Sequence, residues 1–209
     1  MENSEKPYQC EKIKSEHLVF EKRIQFNKAH SSTKVVLRTA RISDASGIAA
    51  VHVHSWRSTY TGLLPDEFLQ SLSTEKRQAI WEGVIQNIER KSTTQYLGVA
   101  EDENQKIIGF ISGGKERSNH PDFDSELYAI YLEKNEQRRG LGTQLTQELT
   151  KWLLSQGYKK MLLWVLDKNP SRQFYERIGA KLLKDTKKVQ LGGRDCLEVA
   201  YGYELLSNS

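Results

Sequence analysis

The chain has 209 residues, 37% of them apolar and 28% charged, with 31 basic against 27 acidic residues and a formal net charge of +4. That length allows one well-buried domain with a tail, and a charge this mild does not supply the concentrated basic face of a nucleic-acid protein. The longest purely apolar run, Met161 to Leu166, is far below the roughly 20 residues that span a bilayer.

Residues 1–34 are rich in Glu, Lys and Ser, with apolar positions (Ile13, Leu18, Val19, Phe20, Ile24, Phe26) that could form a short helix or strand; they read as an extension packed loosely on the domain or partly disordered, with His30 to Lys34 as its linker. Cys10 and Cys196 give neither a disulfide framework nor a zinc site. No apolar signal region opens the sequence, so a cytoplasmic location is expected. Regular patterning begins with the β-branched run Val35 to Arg41, followed by a helix-start signal at Ser43-Asp44. The next helix carries Ile48, Val51, Ser55 and Trp56 on one face and is interrupted at Pro65. His52 and His54, two apart, point to different faces and read as ordinary histidines, and no metal site is expected. Thr74 opens a second helix with Ile80, Trp81, Val84, Ile85 and Ile88 at three- and four-residue spacing.

Gln95 to Ala100 and Lys106 to Ser112 predict a hairpin about a polar turn, and Ser125 to Glu133 is the next strand. A helix with Leu141, Leu145, Leu149, Trp152 and Leu153 on one stripe stops at Gly157. Met161 to Leu166 suits a central strand buried on both faces. Pro170 opens a short helix, and Gly192-Gly193 joins a terminal hairpin. This order predicts a mixed α/β sheet (α+β) of about seven strands and four helices, with one strand-helix-strand unit at its centre. The domain is expected to span residues 35–206.

Between that strand and its helix stands Asn-Glu-Gln-Arg-Arg-Gly-Leu-Gly-Thr-Gln-Leu, residues 135–145. At a helix start up to four backbone N–H groups lack partners and the dipole favours negative charge. Gly140 and Gly142 let the backbone approach a ligand, and Arg138 and Arg139 add charge and bidentate phosphate geometry. The turn therefore suits a phosphate, most naturally a diphosphate; the alternative is a tight turn with solvated arginines. The dinucleotide fingerprint fails at Leu145, where a third glycine is needed. Gly109 to Glu116 nearly matches a triphosphate loop, but Glu116 cannot replace the magnesium-ligating Ser or Thr, so the stretch reads as a strand end.

Three blocks in order carry a resemblance: Glu136–Leu149 with its glycine loop, Asn169–Ala180 with Phe-Tyr-Glu, and His54–Leu69. Together they resemble the GNAT family of N-acetyltransferases over about residues 35–206. The resemblance implies the GNAT-like acyl-CoA N-acyltransferase fold, with acetyl-CoA as cosubstrate and no metal. It implies that Gln137, Arg138, Arg139, Gly140, Leu141, Gly142 and Thr143 take the coenzyme diphosphate. The strand Ile130, Tyr131, Leu132 would pair with the pantetheine arm, and Asn169 would contact the coenzyme from the other side. Trp164 stands where the branch that acetylates protein N-termini often has Glu, which argues against a ribosomal-protein substrate.

Acetyl transfer to an amine needs removal of the amine proton, a donor for the oxyanion and a proton for the departing thiolate. The resemblance makes Tyr175 the acid, and a phenol with a reference pKa near ~10 can protonate a thiolate near ~8.5. It makes Glu126 the base acting through water, with a strand-end surface carboxylate as the alternative. Trp56, Arg57 and Tyr60 are expected to border the acceptor pocket, although Trp56 also fits a core stripe. The expected function is direct acetyl transfer, in a ternary complex, to a primary amine of a small molecule or peptide. Its competitors are a non-catalytic acetyl-CoA-binding module and a nucleotide switch using Gly109–Lys115. The expected partners are acetyl-CoA and the amine, with no nucleic acid and no membrane; the resemblance leaves room for a homodimer.

Overall fold

The computed structural model describes residues 21–28 and 31–205. In chain order the elements are β1 (Glu21–Lys28), β2 (Ser31–Thr39), α1 (Ala45–Tyr60), α2 (Asp66–Ser71), α3 (Thr74–Glu89), β3 (Gln95–Glu101) and β4 (Ile107–Lys115). They continue with β5 (Ser125–Leu132), α4 (Leu141–Ser155), β6 (Lys160–Leu166), α5 (Arg172–Arg177), β7 (Lys181–Leu191) and β8 (Arg194–Glu204). The described strands form one sheet in the order β1-β2-β3-β4-β5-β6-β8-β7. Every pairing is antiparallel except β5 with β6.

The expected mixed α/β architecture is present, with eight strands and five helices among the described residues instead of about seven and four. One added element is β1, which pairs with β2 from Glu21↔Arg38 to Lys28↔Ser31. Ser31–Lys34 therefore belong to a strand, not to a linker: a small polar cluster reads locally as loop, but the β1 ladder sets the backbone here. The other is α2, which starts directly after Pro65 with Asp66 and Glu67 in its first turn, where the helix dipole favours acids. Ser43-Asp44 does mark the entry to α1, but the Asp44 carboxylate accepts from Arg41 N–H (2.7 Å) and pairs with Arg38 (2.6 Å).

Helices cover both faces. Leu141, Leu145, Leu149 and Leu153 recur every four residues along α4 and are fully buried against one face with Leu127, Met161 and Leu163. Burying each contributes about 1.5–3 kcal/mol. On the other face Ile48 and Val51 of α1 join Trp81 and Ile85 of α3 over Leu97, Val99 and Phe110. Glycines in β4 let the strands close up: a Cβ at Gly113 would stand 2.8 Å from the Glu126 carbonyl oxygen. Packing of β4 against its neighbours, not phosphate binding, explains that glycine-rich stretch. Among the described residues no helix is long and apolar enough to cross a membrane.

Candidate active site

Two irregularities of β5 shape the site. Its parallel ladder to β6 is only three pairs long, ending at Leu127↔Leu163. Opposite Ser112 and Gly113 of β4 the register shifts, so that Ala129 and Leu127 are paired and Tyr128 is the extra residue. Beyond Leu127 the two parallel strands part while β5 stays bonded to β4 up to Leu132. Ile130 and Leu132 then face the α4 side, and Ala129 and Tyr131 face α1 and α3.

On the α4 side a cleft of about 790 Å³ runs from the fork across the start of α4 to α5, within the range of small-molecule sites. Ile130 and Leu132 line it, as the sequence predicts, together with Gln137, Arg138, Gly140, Gly142 and Thr143. Three cations, Lys134, Arg138 and Arg177, and no acidic side chain line it among the described residues, which suits a polyanion. Gly140 is the N-cap of α4 at φ +80°, and Arg138 is also left-handed at +61°. The first helical hydrogen bond runs from Gln144 N–H to Gly140 O (3.1 Å), so the amides of Leu141, Gly142 and Thr143 precede the ladder. The Leu141 side chain is buried in the core, which leaves only its backbone for a ligand. The Arg139 guanidinium turns to Glu136, and Gln137 Nε2 donates to Leu132 O (3.3 Å).

Tyr175 lines the cleft opposite this amide row. Its helix is fixed by Arg172, which pairs with Asp167 and donates to the Tyr201 hydroxyl (3.0 Å), while that hydroxyl donates to Glu176 (2.7 Å). Burial, and then Tyr131 nearby, push the Tyr175 phenol above its usual pKa. Its hydroxyl makes no hydrogen bond to another described residue, so it is available to a ligand. Tyr60, also raised by burial, receives a hydrogen bond from Asn169 Nδ2 (3.1 Å). Asn169 Oδ1 accepts from Ser171 N–H (2.8 Å), so this buried side chain joins α1 to the start of α5 and does not line the cleft. Tyr131 faces away from the cleft, stacked on His52 at 5.0 Å, and its hydroxyl accepts from Trp56 Nε1 (2.9 Å).

Arg57, expected to border the acceptor pocket, is bonded within the protein. Its guanidinium donates to the carbonyls of Leu69 (3.1 Å), Gln70 (3.3 Å) and Leu72 (2.9 Å), tying down the end of α2. Glu126 is 6% exposed and held by Arg117, whose Nη2 lies 2.6 Å from Oε1 and whose Nε lies 3.1 Å from Oε2. The sequence reading missed Arg117, and also Ser58 and Thr59, which reach the cleft from the last turn of α1. Only the position of Ser58 and Thr59 inside the His54–Leu69 block could have pointed to them.

The FR47-like protein family matches residues 96–189. The chain is 34% identical over 173 residues to the uncharacterized N-acetyltransferase YuaI of Bacillus subtilis, covering 83% of this chain and 95% of that one. The PaiA N-acetyltransferase of Thermoplasma acidophilum, solved in complex with coenzyme A, superposes with a TM-score of 0.65 at 22% identity, over 81% of this chain and 99% of that one. The yncA protein of Salmonella typhimurium, solved with its cofactor acetyl-CoA, gives a TM-score of 0.61 at 20% identity, over 84% and 96% of the two chains. The match to YuaI over nearly its whole length, together with the FR47-like match, shows that the chain belongs to the GNAT family of acetyl-CoA-dependent N-acetyltransferases.

Proposed function

We propose that this protein moves an acetyl group directly from acetyl-CoA to a primary amine of a small molecule or peptide, with both substrates bound together. The observation that carries the reading is the cationic cleft that joins the β5/β6 fork to the amides of Leu141, Gly142 and Thr143, with Tyr175 on its wall. The amides and Arg138 suit the diphosphate, and the free edge of Ile130–Leu132 suits an extended amide-bearing arm. The acceptor's ammonium first loses a proton, for which Glu126 is the nominated base. The neutral amine attacks the thioester carbon and the new C–N bond forms; the nitrogen then gives its second proton to solvent as the tetrahedral adduct collapses and the C–S bond breaks. Tyr175 gives its proton to the departing sulfur and regains one from solvent; the products are the acetylamide and free coenzyme A thiol.

A binding module that holds acetyl-CoA without turnover is the competing reading, and the unbonded hydroxyl of Tyr175 at the cleft favours the enzyme. The deciding experiment is Tyr175→Phe. Its kcat should fall roughly a hundredfold, while its affinity for acetyl-CoA, measured by calorimetry, should change little. Because the phenol's pKa is raised, it keeps its proton through the alkaline assay range. The wild-type rate should therefore show no loss from this group below about pH 10. Near-normal turnover in Tyr175→Phe removes the acid assignment, and an absence of thiol release from the wild type with any amine leaves only the module.

A further inference from the structure

A second cavity, of about 360 Å³, lies on the opposite side of β5 from the cleft. Tyr128, Ala129 and Tyr131 line it, so it meets the fork just where β5 leaves β6. From α3, Arg77, Ile80, Trp81 and Val84 face it at positions i, i+3, i+4 and i+7, one stripe of the helix. From α1, Trp56 supplies a second aromatic wall beside Tyr131. The size is at the lower end for small-molecule sites and fits a ligand with a single ring.

Its charge is unbalanced. No acidic side chain lines it among the described residues. Arg117, stacked 3.7 Å over the Tyr128 ring, is already neutralised by Glu126. Arg77 stands 5.9 Å from the Trp56 ring centroid and has no hydrogen bond or ion pair to another described side chain. His52 adds no compensating charge: burial, and then Arg77, lower its pKa to about 4, so it is neutral at physiological pH. A guanidinium beside aromatic walls with no anion of its own asks for one from a ligand.

We infer that this cavity is the acceptor subsite and that it selects an amine carrying an aromatic or similarly apolar body and a carboxylate, the carboxylate pairing with Arg77. This rests on the transferase reading above and names its acceptor class. With the carboxylate on Arg77, the body packs on Trp56 and Tyr131, and the amine end points to the fork at Ala129, on the side where Arg117 anchors Glu126. The same charge disfavours polyamine acceptors, which would bring further cations to Arg77.

The test uses two probes that differ only by the carboxylate, N-acetyl-L-phenylalanine and N-acetylphenethylamine. Each is titrated into the full-length protein with coenzyme A present. Trp56 and Trp81 line the cavity, so tryptophan fluorescence reports occupancy. Wild type should bind the carboxylate probe at least about tenfold more tightly. Arg77→Met should reduce that ratio to below about twofold, and Arg77→Lys should keep part of it, since a lysine retains charge but not the fork geometry. A wild-type ratio near one, no binding of either probe, or a ratio that persists in folded Arg77→Met overturns the proposal. Failure of the transferase reading looks different: Arg77-dependent binding stays, yet neither phenylalanine nor phenethylamine releases thiol from acetyl-CoA.

Discussion

Replacing Gly142 by valine strains two structures at once. A Cβ at this position would lie 3.1 and 3.2 Å from ring atoms of Phe174 and 3.7 Å from Leu132 Cδ1. The ring must then give by a few tenths of an ångström for the Cβ alone, and valine adds two more methyls. Overpacking of this kind costs about 1–3 kcal/mol. At roughly 2–4 °C per kcal/mol for a chain this long, a 2 kcal/mol loss lowers Tm by about 4–8 °C. Phe174 can yield only by entering the cleft it lines or by moving α5, which also carries Tyr175. Either shift disturbs the wall that faces the Gly142 amide. We expect Gly142→Val to fold and to bind acetyl-CoA at least tenfold more weakly by calorimetry, about 1.4 kcal/mol. Gly142→Ala should fall between wild type and valine. Gly140→Ala isolates the conformational requirement, because nothing lies within 4 Å of a Cβ there and only the φ of +80° resists it. A folded Gly142→Val with unchanged affinity would refute both the amide row as the diphosphate site and the coupling through Phe174.

If Glu126 removes the amine proton, Glu126→Gln should lose most activity at low pH, where the acceptor is protonated, and recover part of it as the pH nears the amine's own pKa. A pH profile parallel to wild type would make Glu126 a bystander. Deleting residues 1–30 takes β1 away but keeps Val35 and Leu37, the fully buried residues of β2, so the domain should fold and bind acetyl-CoA with little change; insoluble expression would move the domain boundary upstream of residue 35. Gly83, inside α3 with nothing within 4 Å of a Cβ, should tolerate alanine with a gain of about 0.5–1 kcal/mol. A lower Tm for Gly83→Ala would mean that α3 needs the glycine for packing.

Where the local pattern was strong, the fold could be read directly. The leucine stripe of α4 and the unbroken apolar run of β6 reflect the two commonest ways of burying an element, and the left-handed glycines at 157, 192 and 193 end or turn the chain as expected. The strand β1, whose Ile24 and Phe26 suit a short helix or a strand equally, and the six-residue α2 are too brief for a decisive periodic signal. The cleft was legible as a motif because its amides are consecutive in the chain. The hydrogen bonds of Arg57 and Asn169 were not legible for the opposite reason: their partners, the α2 carbonyls and Tyr60, lie 12 to 15 and 109 residues away. Arg77 and Arg117 belong to one cavity only through packing of α3 against β4 and β5, which no spacing rule reports.

The short β5–β6 ladder also bears on solubility. An unpaired strand flank invites another chain to add to it, and proteins blunt exposed ones with charge. The outer strand β7 follows that rule, with Lys181, Lys184, Lys187 and Lys188 along it. The inner flank of β5 does not: Ile130, Tyr131 and Leu132 leave it apolar and unguarded. Its protection is position. It sits between two strands of the same sheet, with α4 packed close by, so a neighbouring β-sheet cannot slide in to reach it. Enclosure within the sheet does there what lysine does at the rim, and the guest such a flank suits is a single extended chain.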